Sequence, residues 1–154
     1  MEETLGIDFD GVIRKFPRII EWWASILSSN DLFLRSKLYG LRRFINYLCF
    51  DITPIILDDI LITEIKRWPG RKILITGRYR ECEKERLLTS LAPFVKFDKI
   101  IFREDRWEDE AIYKERICRQ EHVDYFIEDK KYIIMSLRKH GINVISIRQL
   151  REGK

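Results

Sequence analysis

Leu5-Gly6-Ile7-Asp8-Phe9-Asp10-Gly11-Val12 carries two carboxylates, one residue apart, from a short apolar run into a glycine turn. Side chains alternate along a strand with period two, so Asp8 and Asp10 share a side if the extended geometry continues. Asp is depleted inside strands, which puts the pair at a strand's carboxyl end. Two like charges this close repel unless a cation, a proton or hydrogen-bond donors offset them. The stretch therefore demands Mg²⁺, a shared proton or strong backbone capping.

Thr4–Ile7 is the first strand and Val12–Phe16 is extended. Pro17 opens a helix through Ile20, Trp22, Trp23, Ile26 and Leu27. Leu34, Leu38, Leu41, Ile45 and Leu48, spaced by three and four, predict a second helix from Leu32 to about Phe50. A third runs from about Leu57 to Trp68, before the Pro69-Gly70 turn. Beyond it, apolar strands at 72–76, 99–102, 123–127 and 143–147 alternate with helices at 81–90, 108–121 and 130–140. Strands apolar throughout and separated by helices predict an α/β fold, a parallel sheet covered on both faces. The expected organisation is a core of 1–15 and 69–154 with a small helical cap over 16–68. Arg148–Lys154 reads as a solvated tail, and the cap aromatics (Trp22, Trp23, Phe33, Tyr39, Phe44 and Tyr47) as packing between helices.

The chain has 154 residues, 45% hydrophobic and 35% charged, which suits one domain with a charged surface. No apolar run approaches the roughly 18 residues of a membrane span, and no secretory signal opens the chain. A soluble, cytoplasmic protein is expected. Three cysteines without CxxC spacing and only two histidines, His122 and His140, indicate neither a disulfide framework nor a zinc or His-based metal site. The net charge of +4 reads first as a soluble surface with more Lys and Arg than acid, and second as attraction to phosphate-bearing substrates, small or polymeric.

Ligands of such sheets bind outside the carboxyl ends of the strands. Those ends carry Asp8 and Asp10, then Thr76-Gly77-Arg78, then Glu128-Asp129. Carboxylates suit Mg²⁺; a hydroxyl and backbone N–H groups suit phosphate. Lys114 shares the apolar helix face of Ile117 and Cys118, so its ammonium belongs near that rim. Arg78 and Arg80 are candidate entrance residues for a second phosphate or a nucleotide.

Together these residues resemble the four motifs of the haloacid dehalogenase (HAD) superfamily, in its phosphatase branch. Asp8-Phe9-Asp10-Gly11-Val12 matches the first motif, Ile73-Leu74-Ile75-Thr76 the second, Lys114 the third and Glu128-Asp129 the fourth. The resemblance covers the core from Thr4 to Ile147. It implies a HAD-like, Rossmannoid five-stranded sheet of order 3-2-1-4-5, with the insertion after strand one as a cap. It further implies Asp8 as nucleophile forming an aspartyl-phosphate, and Asp10 as general acid and base. Mg²⁺ would be held by Asp8, the Asp10 carbonyl and Glu128 or Asp129, and the phosphoryl group by Thr76, Gly77 and Lys114. The acidic pair departs from the usual Asp-Asp, which leaves the direct ligand open between Glu128 and Asp129.

The expected function is a Mg²⁺-dependent phosphomonoester hydrolase acting on small phosphorylated substrates, nucleoside monophosphates among them. The early helical cap and Thr-Gly-Arg turn are similar to deoxyribonucleotidase-like members, and also occur in polynucleotide 3′-phosphatases. A nucleic-acid end phosphatase is the less favoured alternative. A catalytically silent HAD-like binding module is the alternative from another class.

Overall fold

The computed structural model describes residues 2–15, 55–79, 81–105 and 107–152. The expected cap helices from Pro17 to Phe50, their aromatics and Arg80 lie outside these residues. Among the described residues the strands are β1 (Thr4–Ile7), β2 (Arg14–Lys15), β3 (Ile56–Leu57), β4 (Arg71–Thr76), β5 (Lys99–Phe102), β6 (Tyr125–Glu128) and β7 (Asn143–Ser146), and the helices α1 (Asp59–Arg67), α2 (Glu81–Leu91), α3 (Glu110–Gln120), α4 (Lys131–Lys139) and α5 (Ile147–Glu152).

Five strands form one parallel sheet in the order β5-β4-β1-β6-β7. These labels differ from the expected 3-2-1-4-5 because β2 and β3, which pair with each other in a separate ribbon, also take numbers along the chain. Ile7 pairs with Leu74 on one side and Ile127 on the other, so β1 is central. Leu5, Ile7, Ile73, Leu74, Ile75, Phe126 and Ile127 are all buried, as strands covered on both faces require. Gly6 has a packing reason: a Cβ there would lie 2.6 Å from the Phe126 ring. Over one face Ile117 and Cys118 of α3 and Ile133 and Leu137 of α4 join Ile73, Ile75 and Phe126 in a continuous core.

Caps set the helix starts. Asp58 accepts from the Leu61 N–H at 3.2 Å, and Asp109 from the Ala111 and Ile112 N–H groups at 2.8 and 3.2 Å. By internal contacts the chain divides into 1–14 with 57–154, and 15–56. Helix α1, expected within the insertion ending at 68, thus groups with the core. Its Leu61, Ile62 and Ile65 are buried, and the Asp58 N–H donates to the Ile13 carbonyl at 2.8 Å.

The expected solvated tail is likewise corrected, since Ile147–Glu152 is helical. Ser146-Ile147-Arg148-Gln149 is a capping box: the Ser146 Oγ accepts from the Gln149 N–H at 3.2 Å, and the Gln149 Oε1 accepts from the Ser146 N–H at 3.0 Å. Basic composition hid that signal. Among the described residues, no helix is long and apolar enough to cross a membrane.

Candidate active site

The sheet order locates the site before any side chain is considered. The chain winds outward from β1 to β4 and β5, then crosses to β6 and β7 on the other side of β1. The order reverses between β1 and β6, and sheets of this kind bind ligands at that point, outside the strands' carboxyl ends. Asp8 follows β1 and Glu128 ends β6, and the Asp8 N–H extends the ladder by donating to the Ile127 carbonyl at 3.0 Å. Helix α3, the crossover from β5 to β6, brings Lys114 in on its buried face.

Lys114 is fully buried among three carboxylates. Its Nζ lies 2.6 Å from Glu128 Oε2, 3.0 Å from Asp8 Oδ1 and 3.0 Å from Glu110 Oε1. Burial alone would lower its pKa, but the charges of Asp8, Glu128 and Glu110 outweigh that and hold it well above the ordinary value. Burial pushes the Asp8 carboxyl up to about 8, against the opposing pull of Lys114. The Asp8 Oδ2 is buried with no hydrogen-bond partner among the described residues. Glu128, whose pKa burial also raises against Lys114, accepts at Oε1 from the N–H groups of Asp129 and Lys130 at 3.0 and 3.1 Å.

Gly11 shapes the mouth. Its φ of 82° is left-handed, and a Cβ there would lie 1.9 Å from the Asp129 Oδ2. Asp129 is exposed and stands over the Asp8–Gly11 loop. One ligand oxygen each from Asp8, Glu128 and Asp129 lies within 4.8 Å of the others. The Asp10 carboxylate is not in that cluster, leaving its backbone carbonyl as the implied metal contact.

Charge decides what the cluster can hold. Fully ionised, Asp8, Glu110, Glu128 and Asp129 would carry four negative charges against two positive on Lys114 and Lys130, a balance of minus two that, without a cation, a proton on Asp8 partly relieves. Hard oxygen ligands, a buried unpartnered oxygen and that deficit fit an oxygen-seeking divalent cation such as Mg²⁺.

Asp10 belongs to a second group. Arg78 donates to it through two bonds, Nε to Oδ2 and Nη2 to Oδ1, each 2.8 Å, and Arg14 Nη1 stands 3.7 Å from Oδ1. The Arg78 guanidinium also lies 4.9 Å from the centre of the Phe9 ring. Arg78, expected at the entrance, is instead only 4% exposed and grips Asp10, because its planar fork matches a carboxylate. Thr76 is buried at the end of β4, and its Oγ1 accepts from the Arg78 N–H at 3.4 Å. The Arg103 N–H ties this turn to β5, donating to the Thr76 and Arg78 carbonyls at 3.2 and 3.1 Å.

Three residues at the site escape sequence reasoning. Glu110 sits four residues before Lys114, a spacing that signals a helical ion pair. Read only as an acid in a first turn, it looks like a dipole partner. Lys130 follows the acidic pair and reaches Glu110 with Nζ at 2.9 and 2.7 Å from its two oxygens. Buried Arg14 carries no sequence signal.

No protein-family model and no curated protein matches this chain. Among solved structures, a chain of the Pnkp1/Rnl/Hen1 complex matches 95% of it with TM-score 0.60 at 14% identity, over 46% of that chain. A second structure, of the Pnkp1/Rnl/Hen1 RNA repair complex, matches 95% with TM-score 0.59 at 14% identity, over 42% of that chain. The present chain thus spans less than half the length of either. A HAD-superfamily hydrolase of subfamily IA, variant 1, from Geobacter sulfurreducens PCA matches 95% with TM-score 0.53 at 14% identity, over 89% of that chain. The fold is that of HAD-superfamily hydrolases. The positions quoted from the sequence lie just after β1 (Asp8 and Asp10), on β4 (Thr76), on α3 (Lys114) and at the end of β6 and just beyond it (Glu128 and Asp129).

Proposed function

We propose that this chain is a Mg²⁺-dependent phosphomonoester hydrolase working through a phosphoryl-aspartate on Asp8. One observation carries the reading: Asp8 is buried, held at Oδ1 by Lys114, with Oδ2 unpartnered among the described residues and acids beside it. A structural carboxylate in such a place is normally satisfied by donors, since burying it otherwise is costly. A nucleophile needs an oxygen left uncommitted.

In the proposed reaction Asp8 attacks the phosphorus and the bond to the ester oxygen breaks, while Asp10 gives the departing alcohol its proton. Water then attacks the same phosphorus, giving its proton to Asp10. The bond to Asp8 breaks, phosphate leaves, and both acids return to their starting state. Arg78 positions Asp10 for both transfers. Thr76 and the backbone N–H of Gly77 are the proposed phosphoryl contacts. Asp8, Asp129 and the Asp10 carbonyl would hold Mg²⁺, which supplies the positive charge a phosphate dianion needs beside four carboxylates. Asp129 is favoured over Glu128 as direct ligand because both Glu128 oxygens already accept hydrogen bonds.

The proposed substrates are small monoesters, nucleoside monophosphates in particular, as in deoxyribonucleotidase-like enzymes. A second reading, a nucleic-acid end phosphatase, is favoured by the likeness to a chain of an RNA repair complex. Tyr79, Trp107 and Tyr132, 38%, 80% and 54% exposed, follow the ends of β4, β5 and β6 and suit base stacking. The test is phosphate release from an aryl phosphate, mononucleotides and 3′-phosphorylated oligonucleotides, with Mg²⁺ or chelator. Turnover that needs Mg²⁺ and disappears in Asp8→Asn supports the reading, and the ranking separates the two substrate classes. A folded chain that turns over none of them refutes it and leaves the silent binding module.

A further inference from the structure

We propose that Glu110 and Lys130 are positioning residues for the reaction, a neutral pair that holds the Lys114 ammonium against Asp8; the assignment rests on the phosphatase reading. A closed ring of contacts carries it. Lys114 Nζ donates to Glu128 Oε2 at 2.6 Å, and Glu128 Oε1 accepts from the Lys130 backbone N–H at 3.1 Å. The Lys130 ammonium then donates to both Glu110 oxygens at 2.9 and 2.7 Å. Glu110 Oε1 closes the ring, 3.0 Å from the Lys114 Nζ. A lysine ammonium is a compact charge on a flexible stem, so it sits where its neighbours fix it. Asp8 and Glu128 meet it from the strand ends, and Glu110 from the first turn of its own helix.

Gly77 shows that the place of Glu110 is built. A Cβ on Gly77 would lie 2.8 Å from the Glu110 Oε1, so the carboxylate fills the room that the missing side chain leaves. That sets a carboxylate against the turn whose N–H is a proposed phosphoryl contact, where a bare negative charge would repel a phosphate dianion. Lys130 supplies the matching positive charge. Burial alone would raise the Glu110 carboxyl, but the charges of Lys114 and Lys130 pull it down to about 2, so it stays ionised. The Tyr132 hydroxyl adds a contact to Glu110 Oε2 at 3.4 Å. A Glu–Lys pair four residues apart on a helix surface is weak and screened by water. In this one the Lys114 side chain is fully buried and that of Glu110 only 16% exposed, so the charges act at close range. An acid that served only the helix dipole would need none of these partners.

The test is a double-mutant cycle on Glu110→Gln and Lys130→Met, with Lys130→Arg as the conservative variant and Mg²⁺ present throughout. An aryl phosphate gives kcat and KM, and calorimetry gives the binding of inorganic phosphate. Glu110→Gln keeps the size and loses the charge, and is expected to lower kcat about tenfold. Lys130→Met leaves the Glu110 charge unbalanced, and is expected to lower kcat and phosphate affinity about tenfold each, with most of both restored in Lys130→Arg. Because Lys130 acts through Glu110, adding Lys130→Met to Glu110→Gln is expected to change either quantity by less than about twofold. A larger further loss in the double variant overturns the assignment, since Lys130 then acts without Glu110. So does a Glu110→Gln chain that melts earlier but keeps kcat within about twofold of the parent below its Tm, which marks a purely structural role. Should Lys130→Met not fold, Lys130→Gln, which keeps N–H donors for Glu110 without the charge, takes its place in the cycle. A parent chain that binds phosphate but hydrolyses no monoester refutes the phosphatase reading, and the cycle is then read in phosphate affinity alone. One that binds no phosphate overturns both.

Discussion

Asp8→Asn is expected to abolish turnover and, in chelator, to stabilise the fold. Asn keeps the volume of Asp8 and an acceptor for Lys114, and removes only the charge. Burial carries the Asp8 carboxyl from an ordinary 3.8 to about 8, so at neutral pH the metal-free fold works against roughly three pH units. At about 1.4 kcal/mol per unit the ceiling is on the order of 4 kcal/mol. The variant also weakens the counter-charge around Lys114, so about half, ~2 kcal/mol, is expected to remain. That is roughly 6 °C in Tm for a chain of this length. The sign is fixed by linkage. The folded chain binds an extra proton between about pH 4 and pH 8, so the parent's stability falls, relative to the variant, as pH rises through that window, and the gap is constant above it. Mg²⁺ should raise the parent's Tm and leave the variant's little changed, because ligand binding stabilises only a fold that holds the ligand. The assay is thermal unfolding by circular dichroism from pH 5 to 9, with chelator and with Mg²⁺. A variant that melts below the parent in chelator at pH 8, or that keeps the full Mg²⁺ response, refutes the reasoning.

Arg78→Lys replaces a two-pronged grip on Asp10 with a single ammonium contact and should lower kcat about tenfold or more with KM little altered, in steady-state assays. A rise in KM alone would mean that Arg78 binds substrate. Gly11→Ala places a Cβ at a φ of 82° and within 1.9 Å of the Asp129 Oδ2, so it should lose about 1–2 kcal/mol of stability in denaturant titrations together with most of the Mg²⁺-dependent rise in Tm. Loss of stability with the Mg²⁺ response intact would remove Asp129 from the metal site.

Much of the core was legible because its signals are local. An apolar run ending in Asp8-Phe9-Asp10-Gly11 is a strand delivering acids to a turn whatever surrounds it, and β1 spans Thr4–Ile7 as read. The same holds for β5, Lys99–Phe102. The end of the chain was misread because seven residues of basic composition outweighed a four-residue capping box. Helix α1 was recognised as a helix, but its amphipathic pattern shows only that a face is buried and not against what.

Local sequence was enough for the α/β fold class and for the kinds of chemistry at each strand end: carboxylates at the ends of β1 and β6, a hydroxyl and glycine at the end of β4, a lysine on the crossover helix. How these groups divide their partners depends on contacts between residues far apart in the chain. Arg78 reaches Asp10 across 68 positions of chain, and Lys130 reaches Glu110 across 20. Lys114 lies within 3.0 Å of one carboxylate oxygen each from Asp8, Glu110 and Glu128. Periodicity and capping act over one or two turns of chain, whereas a lysine's choice among carboxylates depends on strand register and on which of them burial has removed from water.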